Sequence, residues 1–130
     1  MNAVRVSTRK LRVLLVDDQR AFRIAARSVL ESGDGYVVVG EAADGEHAVE
    51  LADSLQPQVI LMDVRLPGIS GIEATRQILE QHPAAVVVLL STHGVADLPP
   101  DLLLCGAVGF LRKEMLDPIA LARLLDDAAG

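Results

Sequence analysis

Short apolar runs alternate along the chain with stretches of helical spacing, and this alternation says more about the structure than any other feature. The runs are Leu11 to Val16, Tyr36 to Gly40, Val59 to Met62, Ala85 to Leu90 and the weaker Gly109 to Leu111, each suited to a strand buried on both faces. Between them Phe22, Ala25, Ala26 and Val29 recur at helical spacing, as do Ala48, Leu51, Ala52 and Leu55, and each set predicts one buried helix face. Ser70 with Glu73 forms a capping box ahead of Ile72, Ile78 and Leu79. Asp117-Pro118 supplies an N-cap with Pro at the first helical position, and Leu121, Leu124, Leu125 and Ala128 carry the face that follows. Five strands alternating with five helices predict βαβ units with right-handed crossovers, hence an α/β fold with a doubly wound parallel sheet. Pro99-Pro100 breaks the pattern between Val95 and Cys105, because each Pro removes a donor and biases the residue before it to extended geometry. The fourth helix is therefore expected to start late, near Pro100, and to be short and irregular.

Composition narrows the picture. The chain has 130 residues, 51% of them apolar, which fits one domain with a real core and leaves no room for a second. Residues 1–10 are basic and polar and read as a flexible leader, with the domain proper over 11–130. Aromatics make up 2% and Trp is absent, so Val, Leu, Ile and Ala must fill the core. A net charge of -6 and a pI near 4.9 argue against binding of nucleic-acid phosphates by this domain. Cys105 stands alone, which excludes an internal disulfide and fits a small buried hydrophobe in a reducing compartment. No apolar stretch approaches the roughly 20 residues of a membrane span, and the start lacks a signal-peptide pattern, so a cytoplasmic protein without membrane contact is expected.

The candidate chemistry lies where the strands end. The first apolar run stops in Asp17 and Asp18 and the third in Asp63, while Ser91-Thr92 ends the fourth and Lys113 follows the fifth. In a doubly wound sheet these ends share one edge, where ligands bind at the point of reversed strand order. Three carboxylates held together repel unless a cation joins them. A hard ion such as Mg²⁺, which takes oxygen ligands from one or two carboxylates plus a phosphate, suits the set. One acid is then free to act as a nucleophile.

Leu14-Leu15-Val16-Asp17-Asp18, the stretch Leu61-Met62-Asp63-Val64-Arg65-Leu66-Pro67-Gly68-Ile69-Ser70-Gly71, and Gly109-Phe110-Leu111-Arg112-Lys113 resemble the receiver domain of two-component response regulators. The likeness covers about Leu11 to Gly130. Each motif alone is weak, but together, in this order and spacing, they are specific. The wording from Met62 to Thr75 is closest to the subclass joined to LuxR-type helix-turn-helix domains. The resemblance implies a flavodoxin-like (βα)5 sheet and a phosphoacceptor switch that takes a phosphoryl group on Asp63 from a sensor histidine kinase. It implies Mg²⁺ at Asp17, Asp18, Asp63 and the backbone carbonyl of Arg65, with Lys113 and Ser91 reaching the phosphoryl group and Thr92 competing with Ser91. It places Arg65 and His93 where they modulate phosphoryl lifetime. Phe110 falls where the family often has a switching aromatic, commonly Tyr; without a hydroxyl, its role as switch or plain core residue is open.

No enzymatic activity beyond self-phosphorylation and dephosphorylation is expected, and DNA would be reached only through an output domain absent from this chain. That absence fits both a receiver cut from a longer transcription regulator and a stand-alone one. A phosphorylation-dependent homodimer would have to use outward residues such as Arg23, Arg27, Arg123 and Asp127. The competing enzyme reading is a haloacid-dehalogenase-like phosphatase, whose Asp also ends a parallel strand, but that family wants an acid where Arg65 stands. A flavin binder would want stacking aromatics, and this chain has one Tyr and two Phe. Nucleotide-binding glycine motifs are absent.

Overall fold

The computed structural model describes residues 10–92 and 102–129. They run β1 (Leu11–Val16), α1 (Arg20–Glu31), β2 (Tyr36–Ala42), α2 (Gly45–Leu55), β3 (Val59–Asp63), α3 (Gly71–Gln81), β4 (Val86–Ser91), a 3-10 turn (Leu102–Cys105), β5 (Gly109–Arg112), a second 3-10 turn (Lys113–Met115) and α4 (Pro118–Ala129). The five strands form one sheet in the order β2-β1-β3-β4-β5, and every pairing is parallel. This is the flavodoxin-like order, with its reversal between β1 and β3.

Period-two alternation sorts the strand residues into two cores. Leu14, Val16, Ile60, Met62 and Leu89 pack with Ala48, Ala52, Ala74 and Ile78 of α2 and α3. Val13, Leu15, Leu61, Val88 and Leu90 pack on the opposite face with Ala26, Leu30 and Leu121 of α1 and α4. Because β3 lies at the centre of the sheet with helices over both faces, all five of its residues are buried. At about 2 kcal/mol per fully buried aliphatic side chain, this strand is the rigid element on which Asp63 is mounted.

Two helix starts follow the sequence signals. The Ser70 hydroxyl accepts from the Glu73 amide at 3.1 Å, although the Glu73 carboxylate turns to Arg76 and Gln77 rather than closing the box. Asp117 Oδ1 accepts from the Ala120 amide at 2.7 Å. Ala48 and Ala52 are buried with Leu51 packed against the same core, and Cys105 is buried, all as expected.

Other expectations need correction. The buried stripe of α1 is Phe22, Ala26 and Leu30, while Ala25 is exposed and Val29 is 37% exposed. Spacing of four selects Leu30 as the third contact, which leaves Ala25 about 100° and Val29 about 60° from the centre of that stripe. Between β4 and β5, where a short, irregular fourth helix is expected, the described residues hold the 3-10 turn Leu102–Cys105. A late helix start near Pro100 lies outside the described residues, as does the leader over 1–9. Hydrogen bonding extends β2 to Ala42, β3 to Asp63 and β5 to Arg112, beyond the ends the apolar runs suggested. No helix among the described residues is long and apolar enough to cross a membrane.

Candidate functional site

β1 and β3 are neighbours in register from Val13 opposite Val59 to Val16 opposite Met62. Asp17 and Asp63 therefore emerge side by side at the strand-order reversal. Carboxylate oxygens of Asp17, Asp18 and Asp63 lie within 4.8 Å of one another. Asp17 is 1% exposed and Asp63 5%, whereas Asp18 faces solvent. Two walls and an open lip result.

Each buried acid is fixed by backbone donors as well as by charge. Asp17 Oδ1 accepts from the Gln19 amide at 2.8 Å, and Asp63 Oδ1 accepts from the Arg65 amide at 3.1 Å. Lys113, delivered by β5, puts its Nζ against Asp17 Oδ2 and 3.1 Å from Asp63 Oδ2. The same ammonium sits 4.9 Å from the Phe22 ring centroid, within cation–π range. Burial alone would lower the Lys113 pKa, but hydrogen bonds to the two acids outweigh it and hold the pKa above its ordinary value. For Asp63, burial is the largest influence and raises the pKa. The Arg65 amide and Lys113 oppose that rise while the nearby Asp17 charge adds to it.

The loop leaving β3 is shaped by glycine. At Gly71 a Cβ would collide with the Asp63 carbonyl oxygen, so α3 can begin this close to the site only without a side chain there. Gly68 takes φ +74° with the Glu46 carboxylate where a Cβ would stand, and Glu46 Oε2 accepts from the Ile69 amide at 3.2 Å. This loop holds Arg65, whose side chain is exposed.

Of the remaining predicted site residues, Ser91 ends β4 and is 2% exposed, opposite Arg112 in register. Thr92 follows it and is exposed. Phe110 lies in β5 opposite Leu89 and packs, half-buried, on the core under α2 and α3. His93 lies outside the described residues. Arg27, Arg123 and Asp127 are at least partly exposed, but Arg23 is not the outward residue it was expected to be. Its side chain is 15% exposed and bonds the Asp17 carbonyl and Glu41. Phe22 over Lys113, Glu46 on the loop and the Arg23–Glu41 pair are the contacts sequence reasoning missed. The one available signal was a charged residue, Glu41, directly after the apolar run that begins at Tyr36.

The donor set suits a hard divalent cation, since all three clustered side chains offer carboxylate oxygen and one is open to solvent. With a neighbouring ammonium, the mouth can also receive a small anion such as a phosphoryl group.

Residues 13–126 match the family described as the response regulator receiver domain. Among curated relatives, the response regulator GacA of Pseudomonas protegens is 42% identical over 85% of this chain and 54% of its own length. The transcriptional regulatory protein DegU of Brevibacillus brevis is 37% identical over 85% of this chain and 47% of its own. The chain thus spans about half the length of the curated relatives it matches. The signal receiver domain of NarL from Mycobacterium tuberculosis superposes with a TM-score of 0.82 at 34% identity, covering 93% of this chain and 98% of that one. The CheX-CheY-BeF3-Mg complex from Borrelia burgdorferi gives 0.77 at 27% identity, covering 92% and 90%. None of these relatives supports the haloacid-dehalogenase-like phosphatase. The chain belongs to the receiver domains of two-component response regulators, among those of the LuxR and NarL type.

Proposed function

We propose that Asp63 is the phosphoacceptor of this receiver and that its donor is the phosphohistidine of a sensor histidine kinase. The observation that carries the reading is Asp63 itself: a carboxylate buried at a rigid strand end, 3.1 Å from a lysine ammonium and beside two further acids. A carboxylate oxygen of Asp63 attacks phosphorus as the P–N bond of the donor breaks, leaving an acyl phosphate and an imidazole that takes up a proton. Hydrolysis reverses the charge change, as water attacks phosphorus and releases inorganic phosphate and the free carboxylate. The domain then catalyses only its own modification and its reversal.

Asp17, Asp18, Asp63 and the Arg65 carbonyl would hold Mg²⁺, and the similar Borrelia complex contains both Mg and BeF3. When bound, the ion supplies positive charge that offsets repulsion among the acids and the incoming phosphoryl oxygens. Lys113 must loosen from Asp63 to meet a phosphoryl oxygen, and Ser91, or Thr92 in its place, donates a hydroxyl to another. Arg65 and His93 screen the attacking water, and Phe110 responds to the movement of β4. The output is control of transcription through a further domain, in the cytoplasm, with homodimer formation on phosphorylation. The support for transcription control is the similarity to the transcriptional regulatory protein DegU.

Mass spectrometry of the chain incubated with Mg²⁺ and acetyl phosphate tests the reading. One phosphate adduct mapping to Asp63 is expected, with none on Asp63→Asn; equal labelling of the two would overturn it.

A further inference from the structure

Beyond the four ligand-bearing positions, the acid loop is held from behind by a pair of charges. Asp17 donates its amide to the Ala42 carbonyl at 3.0 Å, the last bond of the β1–β2 ladder. Its own carbonyl then leaves the sheet, and Arg23 Nη1 reaches back from the first turn of α1 to donate to it at 2.6 Å. The Arg23 Nε donates to Glu41 Oε1 at 3.0 Å, and Arg27 Nε donates to Glu41 Oε2, also at 3.0 Å. Burial would raise the Glu41 pKa, yet the two guanidiniums outweigh it and hold the pKa below its ordinary value.

Glu41 reaches α1 only because β2 is irregular. Val13 pairs with Val38, but Leu14 pairs with Gly40, so one residue of β2 is skipped. Such a bulge reverses which face the following residues occupy. Without it Glu41 would align with Val16, whose side chain lies in the core under α2 and α3. With it Glu41 aligns with Leu15 and faces the α1 side, where Arg23 and Arg27 wait.

We infer that Arg23, clamped by the bulge-aimed Glu41, is a positioning residue for Asp17 and Asp18 that sets how tightly their carboxylates hold a divalent cation. The inference rests on the proposed Mg²⁺ site. It carries a sign that distinguishes it from simple electrostatics: deleting a positive charge near a cation site should tighten cation binding, whereas loosening the acid loop should weaken it.

Mg²⁺ affinity of the 130-residue chain would be measured by calorimetry, with thermal unfolding followed in parallel, for the parent, Asp18→Asn, Arg23→Gln, Arg23→Lys and Glu41→Gln. Arg23→Gln should bind about tenfold more weakly, the effect expected of a group that orients metal ligands, and Arg23→Lys should recover part of the loss. Affinity in Arg23→Gln equal to or tighter than the parent's would overturn the inference, whatever the change in melting temperature. If Arg23→Gln does not fold, Arg23→Lys decides in its place, since it keeps the positive charge but cannot hold both the Asp17 carbonyl and Glu41: weaker Mg²⁺ binding than the parent's is expected and parent-like affinity would overturn the inference, while parent-like affinity in Glu41→Gln would refute the clamp. Failure of the underlying site looks different, since the parent and Asp18→Asn would then bind Mg²⁺ equally.

Discussion

The two ends of the sheet are built from the same strands and serve opposite ends. At the carboxyl end, three acids and a lysine crowd a shallow mouth, each buried member held by amide donors or opposite charge. At the amino end there is a groove of about 620 Å³ lined by residues such as Leu11, Pro57, Pro83, Ala84 and Leu125. An apolar groove of that size is the ordinary starting point for a ligand site. The proposed chemistry is at the other end, because a phosphoryl group needs charge and a nucleophile rather than volume. Strand order, not cavity size, is the better guide in this fold.

The largest effect expected from breaking this contrast is at Lys113. Its side chain is 9% exposed and faces two buried carboxylates, so Lys113→Ala leaves them without their cation. A loss of about 3 kcal/mol is expected from breaking a buried charge pair on one side, read by urea unfolding in chelator. Because Mg²⁺ would neutralise the same acids, the ion should recover more stability for Lys113→Ala than for the parent. Equal Mg²⁺ effects on the two would show that the acids do not share one cation site.

At the amino end, Leu125→Ala should cost about 2 kcal/mol, the low end for a leucine truncation, since the side chain is only partly buried against the α1 and α4 core. Phosphorylation by acetyl phosphate should stay at the parent rate in conditions where both are folded. A parallel loss of phosphorylation would mean that the two ends are coupled through α4, and the contrast between them would fail.

How much of this was legible follows from the range of each interaction. The cores of β1 and β3 are continuous apolar runs, and Asp17, Asp18, Asp63 and Lys113 stand at strand ends, so topology alone brings them together. The α1 face was misjudged because Ala25 and Val29 fit helical spacing as well as Ala26 and Leu30 do. Only packing against Leu15 and Leu61 decides between them. The Arg23–Glu41 clamp was invisible because it depends on a β2 bulge, and a one-residue skip leaves no mark in an apolar run such as Val37-Val38-Val39. Phe22 over Lys113 joins residues from opposite ends of the chain, with no local pattern to announce it.

The smallest effect sharpens the contrast from the site side and concerns Asp63 without metal. Its folded pKa is raised above the ordinary 3.8, chiefly by burial, with the Asp17 charge adding and the Arg65 amide and Lys113 opposing. Between 3.8 and the folded value the folded state therefore holds more protons than the unfolded one, and stability falls as pH rises through that window. Above it the ionised Asp63 is a standing cost at neutral pH. Asp63→Asn, which cannot ionise, should then be more stable than the parent in chelator at neutral pH, by less than Leu125→Ala loses, because the Lys113 contact already offsets much of the burial. The gain should shrink as pH is lowered through the window and should also shrink when Mg²⁺ is added to the parent. Thermal unfolding of both proteins across pH, with and without Mg²⁺, reads all three. A neutral-pH loss of stability in Asp63→Asn would mean that the lysine contact outweighs burial, and that the carboxyl end is a structural ion pair rather than a site held ready at the expense of the fold.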